Sequence, residues 1–487
     1  MENRTKKENG NHLSIRLSEL MYLCFFSLML FAKGIGLYDG QLLYKLCLVA
    51  AFLCLGVKMC ITGHRLKEWG IILGVLAFCV LIYRHSGEKG ILICTVTVLA
   101  MKNVAMERVF RVGLLVWSIA WGGRFFLSLL NLENVQMAVQ TKSLTGGVLR
   151  YFMGFPHPNV LHISYFVLAA FVVYGLKDNY RLRHLCALLW GNLFLFFYSY
   201  SLTGAIAVGV YLFLSYYVVK KKISKVEYVL AELAFPLCLL VSIALPVLAT
   251  GRIFALADKI FNNRVAFSKH FLTWDNISLV GNNLASITTD IVTMDNSFVF
   301  ALIIYGILAF AAICILYAML IHTYVKERKN IELAMIICFF LAGITEPFLF
   351  NTSFKNLTLL FLGEYLWISG EDKKNIFLLK HADKELVFPT TGVRKAGAKV
   401  MKVWGEYHKR IVYSSAVIAT LLTLLGILTY QAPQYVLAVE VDRLLLFERI
   451  RVAMTIWTIS YASLCLIGCL IGYCGKRREC MSNGGEN

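Results

Sequence analysis

Arg150 and His157 fall within the ten-residue stretch RYFMGFPHPN (150–159), and their side chains are of the kinds that hold anions and move protons. Pro156 and Pro158 fix their own φ angles and push the residues before them toward extended geometry, so His157 is held between two stiff joints. Asn159 stands where an N-cap would open a helix. A helix N-terminus beside a guanidinium favours an anion, phosphate in particular. His157 has the intrinsic pKa of a general base. The plainer alternative is a re-entrant turn with an interfacial arginine, in which His157 is only a hydrogen-bonding partner.

A second stretch, ALADKIFNNRVAFSKHFLTWDNISLVGNN (255–283), carries Arg264 and Lys269 on an amphipathic segment broken by Asn-Asn-Arg, with Arg252 just ahead of it. Two or three guanidinium groups on one side of a membrane could clamp a diphosphate, whose oxygens suit bidentate contacts. Other polar residues sit at the ends of apolar runs: Arg124 in WGGRFF, Asp295 and Asn296 in TMDNSF, and Glu346 with Asn351 in ITEPFLFN. An ionisable group at membrane depth costs about 2.5–3.5 kcal/mol on insertion scales, so each marks a candidate site. Glu346 precedes Pro347, which would open a helix and aim the carboxylate into a cavity, making it the second candidate base. Its alternative is an ion pair with Arg124 that neutralises both. In SYSLTGA (199–205), Thr203 and Gly204 are small enough to let a substrate or another backbone approach closely.

The elements that must position these residues are membrane helices. The chain is 59% hydrophobic and 16% charged, and its apolar residues fall into blocks separated by short basic connectors. The ~20-residue length of a spanning helix makes this an all-α polytopic membrane protein. About fourteen spans are expected, near 18–38, 41–61, 69–83, 90–101, 112–130, 159–176, 185–200, 204–219, 228–250, 297–321, 331–350, 355–369, 411–430 and 452–474. Lys and Arg gather in alternate connectors such as KDNYRLR, KKKISK, VKERK and GKRR, which places both termini in the cytoplasm. The net charge of +19 is therefore a topology signal, and no nucleic-acid surface is read from it.

Of the larger outer loops, 131–158 and 251–296 carry cations against that trend, while 431–451 mixes acids and bases and is assigned no chemistry. Residues 1–369 form a twelve-helix body, 370–410 a basic cytoplasmic linker, and 411–487 a two-helix appendage with a cytoplasmic tail. The first apolar block lacks a cleavage site and reads as a retained helix. The fourteen cysteines lie mostly in apolar spans without C-x-x-C pairing, which supports neither disulfides nor zinc. A phosphate-binding GK[ST] loop, a G-x-S-x-G elbow and an HExxH motif are all missing from the sequence.

Over about residues 145–365 the order of motifs resembles that of bacterial O-antigen or capsular polysaccharide repeat-unit polymerases, the Wzy type within the O-antigen ligase and polymerase group. The matching pieces are R-x-x-x-G-F-x-H-P-N at 150–159, S-x-T-G at 201–204, N-x-R at 262–264 leading to Leu-Val-Gly at 279–281, and M-D-N-S-F followed by Y-G-I at 294–307. The family often has arginine in the S-R-T-G turn, where this chain has Leu202.

The resemblance implies an inverting, metal-independent glycosyltransferase without a cofactor, acting on the outer face of the bacterial plasma membrane. A growing glycan would leave its undecaprenyl diphosphate carrier and join the terminal sugar of a new lipid-linked repeat, with membrane lipid around the spans and a separate chain-length regulator protein as partner. Arg150, Arg264 and Arg252 would stabilise the leaving diphosphate. His157 or Glu346 would take the proton, and Asn159, Thr203, Asp295, Asn296, Asn351 and Arg124 would contact substrate. Three other readings stand beside it: a ligase moving finished glycan to another acceptor, a lipid-linked oligosaccharide flippase, and a metal-dependent transferase using Asp39 of LYDGQ.

Overall fold

A computed structural model describes residues 12–131, 134–142, 146–287, 293–367, 379, 382–389, 391–431 and 442–482. The chain is overwhelmingly helical, because backbone N–H and C=O groups inside a bilayer must be satisfied within their own segment. The first helices are α1 (Leu17–Gly34), α2 (Leu42–Ile61), α3 (Leu66–Ser86), α4 (Gly90–Leu99) and α5 (Met106–Leu130). Helices α6 (Pro158–Leu176), α7 (Leu182–Ser199), α8 (Leu202–Lys220) and α9 (Lys225–Leu239) follow. Next come the short α10 (Leu245–Leu248), α11 (Gly251–Ile260), α12 (Arg264–Phe271) and α13 (Leu284–Ile287). The last are α14 (Ser297–Glu327), α15 (Asn330–Gly343), α16 (Thr358–Trp367), α17 (Thr391–Thr429) and α18 (Asp442–Ser482).

Each expected span contains helix, though not always along its whole length. Among the described residues, ten helices are long and apolar enough to cross a membrane. Helices α4 and α16 have 10 residues each and α15 has 14, about 15–21 Å at 1.5 Å per residue against a ~30 Å hydrocarbon core. The expected span 331–350 ends at Gly343, so Glu346 and Pro347 lie on non-helical chain between α15 and α16. The residue before a proline disfavours helix, which is why the run stops early.

Close approach of backbones organises the bundle. Helix α1 packs on α2 and α5, and α6 packs on α5, α7, α8 and α15. A Cβ on Gly113 would strike the Phe171 ring at 2.4 Å, and one on Gly34 would meet Ala120 at 2.6 Å, the small-residue contacts typical of membrane helices. Trp117, fully buried, donates from Nε1 to the Ser164 carbonyl at 2.9 Å and joins α5 to α6. Pro236 in α9 is followed by a π-helical turn, Leu240–Ala244.

Helix α14 breaks at Gly306 (φ 81°, ψ 169°), and the segment around Leu279 to Gly281 lies against the break. Ile307 N–H donates to the Ser278 carbonyl at 3.0 Å, Leu308 N–H to that of Leu279 at 3.3 Å, and Asn282 N–H to that of Ile303 at 3.1 Å. A Cβ on Gly281 would lie 2.0 Å from the Ile304 oxygen, and one on Gly306 2.4 Å from the Gly281 nitrogen. Both glycines have positive φ, so the Leu-Val-Gly and Tyr-Gly-Ile motifs are two halves of one backbone contact.

Two small antiparallel ladders add to the helices. Strands β2 (Met137–Lys142) and β3 (Gly146–Tyr151) form a hairpin with Ala138 opposite Arg150. Strand β1 (His12–Arg16) pairs with β4 (Glu385–Pro389), Ile15 lying opposite Leu386. The segment expected as a solvated linker thus contributes a strand, an Asp383 carboxylate that accepts from Ser18 N–H at 2.9 Å, and the first turns of α17.

The two C-terminal helices pack on one another, and α18 also packs on α7 and β3. Its Glu448 and Arg451 are buried as an ion pair at 2.5 Å. The guanidinium lies 4.5 Å from the Tyr151 ring centre and 5.1 Å from that of Tyr198. The end of the 431–451 segment, assigned no chemistry from the sequence, belongs to this anchor.

Candidate functional site

The two cation-bearing loops meet at Glu346. Its Oε1 accepts from Asn159 Nδ2 at 2.8 Å, from Thr203 Oγ1 at 3.2 Å and from Arg264 Nη2 at 3.2 Å. Asn159 in turn accepts from Arg150 Nη2 at 2.5 Å. Arg150, Arg264 and Glu346 are each more than nine-tenths buried. Residues from α6, α8 and α12 thus converge on one carboxylate oxygen of the α15–α16 connector, and Arg150 of β3 joins them through Asn159.

Each arginine is also held by a carbonyl. Arg150 Nε donates to Ser199 O at 2.8 Å, at the end of α7, and Arg264 Nε donates to Thr345 O at 2.7 Å. Arg264 opens α12 after Asn262 and Asn263, both at positive φ, a conformation that short polar asparagine tolerates. The Asn-Asn pair therefore turns the chain so that the guanidinium points inward to Glu346. Ser297 Oγ donates to the Glu346 carbonyl at 2.7 Å and accepts from Leu349 N–H at 3.2 Å, pinning the loop that carries the carboxylate.

His157, and not Asn159, caps α6, because Pro158 takes the first helical position. His157 Nδ1 accepts from Asn159 N–H at 3.1 Å, which assigns the ring proton to Nε2. Desolvation by the elbow, and then the Arg150 charge, hold the His157 pKa below its ordinary range. Burial likewise lowers the pKa of Arg150, with Glu346 opposing. Relieved of capping, the Asn159 side chain bridges Arg150 to Glu346.

Asp295 stands 4.0 Å from Arg264 Nη2 and is one-third exposed. Asn296 caps α14, accepting from Phe298 N–H at 2.9 Å and Val299 N–H at 3.2 Å. Three expected contributors lie apart from the cluster. Arg124 donates to Gly154 O at 3.3 Å on the other side of the elbow, and the ion pair weighed as the alternative role of Glu346 is made with Arg264 instead. Asn351 accepts from Ser353 N–H in a local turn, and Arg252 is exposed on α11. Asp39 is paired with Lys89 at 2.9 Å.

A support beneath the cluster escaped the sequence reading. His162, fully buried, joins Ser199 Oγ at 2.9 Å to Asn192 Oδ1 at 2.8 Å, and Asn192 donates to Ala205 O at 2.9 Å. At Gly204 of SYSLTGA the close neighbour is a side chain and not a backbone, since a Cβ there would fall 2.9 Å from the His162 ring. A lone histidine in an apolar run gives no partner, and only SYSLTGA hinted at one.

Charge in the cluster is balanced. Two guanidinium groups face the Glu346 and Asp295 carboxylates, and buried ion pairs of this kind persist only with hydrogen bonds on their remaining atoms. Loss of the Glu346 charge would leave Arg264 facing the Asp295 carboxylate alone. The chain matches no family model, no curated protein and no solved structure.

Proposed function

We propose that the protein polymerises undecaprenyl-diphosphate-linked repeat units into surface polysaccharide on the outer face of a bacterial plasma membrane, with both termini in the cytoplasm and about fourteen helical passes or half-passes. The observation that carries this reading is the convergence of Asn159, Thr203 and Arg264 on Glu346, with Arg150 joined to it through Asn159, at the end of the bundle where both cation-rich loops lie. The meeting of the Leu-Val-Gly and Tyr-Gly-Ile motifs at Gly281 and Gly306 also supports it.

In the proposed reaction the acceptor hydroxyl oxygen attacks the anomeric carbon of the donor from the face opposite the diphosphate. The new C–O bond forms with inversion as the bond to the diphosphate oxygen breaks, and that electron pair leaves with the diphosphate. Glu346 accepts the hydroxyl proton. Its neutralisation frees the fields of Arg150 and Arg264 to stabilise the charge developing on the leaving group, so proton transfer and departure reinforce each other. His157 orders the elbow, since its Nδ1 is occupied by the helix cap. No metal enters the proposed scheme. The carrier lipid lies against the apolar helices, each buried CH₂ contributing about 0.8 kcal/mol.

The test deletes the gene in its native cell and restores it as wild type, Glu346→Gln, Arg150→Lys or Arg264→Lys, with protein levels matched. Glutamine keeps the shape of the cluster while losing basicity, and lysine loses bidentate geometry. The expected result is accumulation of single lipid-linked repeats on the outer face, with long chains restored only by wild type. Full-length chains stranded on the carrier would instead identify a ligase. Repeats trapped on the inner face would identify a flippase.

A further inference from the structure

The elbow has a second wall. Where His157 and Asn159 face the Glu346 cluster, Phe152, Gly154 and Pro156 line a cleft of about 760 Å³ between the α1–α2 turn, the end of α5 and the β2–β3 hairpin. This falls within the ~300–1,000 Å³ typical of sites for small organic ligands. Its polar wall consists mainly of uncharged amides and hydroxyls, among them Gln41, Ser128, Asn131, Asn134 and Gln136, with Arg124 the single cation and no carboxylate among the described lining residues.

Amide side chains offer donor and acceptor together, the pattern that pairs with vicinal hydroxyls. Phe152 adds an aromatic ring against which the C–H face of a sugar ring can lie. Arg124 Nε reaches Gly154 O at 3.3 Å, tying the cleft to the elbow that carries His157 and Asn159.

We infer that this cleft is the acceptor subsite: it binds the saccharide of one incoming repeat unit, a neutral oligosaccharide, and holds its terminal hydroxyl at the elbow. The inference rests on the polymerase reading for the word acceptor. Diphosphate chemistry belongs to the arginines across the elbow, and the near absence of charge among the described lining residues suits a sugar without phosphate.

The test uses full-length protein in nanodiscs of phosphatidylethanolamine and phosphatidylglycerol. The probe is the repeat-unit oligosaccharide cut from the native cell's own surface polysaccharide, carrying neither lipid nor phosphate, titrated by saturation-transfer NMR. Wild type and Arg264→Lys are expected to bind alike. Asn134→Ala/Gln136→Ala is expected to bind about tenfold more weakly, from the loss of two exposed amides, and Gln41→Trp, which fills the cleft from another element, weaker still. In cells the same cleft variants should shorten the glycan.

No binding by wild type, or equal binding by the cleft variants, overturns the inference. If the Glu346 and arginine variants abolish polymer while the cleft variants bind and extend normally, the subsite is wrong and the polymerase reading stands. If cleft-dependent sugar binding persists while the Glu346 and arginine variants leave the glycan untouched, the saccharide site stands and the polymerase reading falls.

Discussion

Glu346 and His157 divide the duties that residue type alone leaves open between them. Both could take a proton, but His157 Nδ1 is committed to the N–H of Asn159, while one oxygen of Glu346 gathers three donors. The cap makes a pH prediction. A histidine whose folded pKa lies below its unfolded value is stabilising while neutral, and that contribution is lost as pH falls from the ordinary range near 6.5 through the depressed folded value. Protonation of Nδ1 removes the acceptor. His157→Ala should therefore destabilise the protein at neutral pH by about 0.5–2 kcal/mol. His157→Asn, another good cap, should match wild type at neutral pH and outlast it at about pH 5. Thermal melts of the three proteins at both values check this, and equal acid sensitivity in His157→Asn and wild type would sink it.

Helices were largely legible in the apolar blocks, since a bilayer leaves the backbone no other partner. Their ends were not. Hydropathy runs smoothly through 331–350, yet α15 stops at Gly343 and puts Glu346 on a loop. Nor could it show that α18 lays Arg451 against Tyr151, next to Arg150 in the chain, because that pairing joins residues some three hundred positions apart. Residue types in the cluster were readable; their pairings, such as Asn159 with Glu346, were contacts of long sequence separation and were not. The docking of Leu279–Gly281 onto the break in α14 belongs to the same class. Gly306→Ala, with φ at 81° and a Cβ 2.4 Å from a backbone nitrogen, should cost at least about 1–3 kcal/mol. Gly122→Ala, in open space within α5, should be neutral or gain about 0.4–1 kcal/mol. Thermal midpoints in detergent distinguish these, and equal midpoints would mean that the break in α14 does not need glycine.

The molecule as a whole has two chemically different ends, and the function proposed for it depends on which one faces out. One end gathers Arg150, Arg264, Glu346 and the amide-lined cleft. The other gathers the β1–β4 ladder and the basic connectors, with pairs such as Arg108 with Glu19 and Lys102 with Glu68. Positive charge near the ends of spans is retained on the cytoplasmic side, so the ladder end should lie inside and the cluster outside. Donor and acceptor displayed on the outer face can reach the cluster in no other orientation. In a background without native cysteines, Asn134→Cys should react with a membrane-impermeant maleimide on intact cells, and Lys222→Cys only after permeabilisation. Both positions are exposed, so failure to react reports sidedness and not burial. The reverse pattern would put the arginine cluster in the cytoplasm, where it would meet lipid-linked repeats before export, and would remove polymerisation at the outer face from consideration.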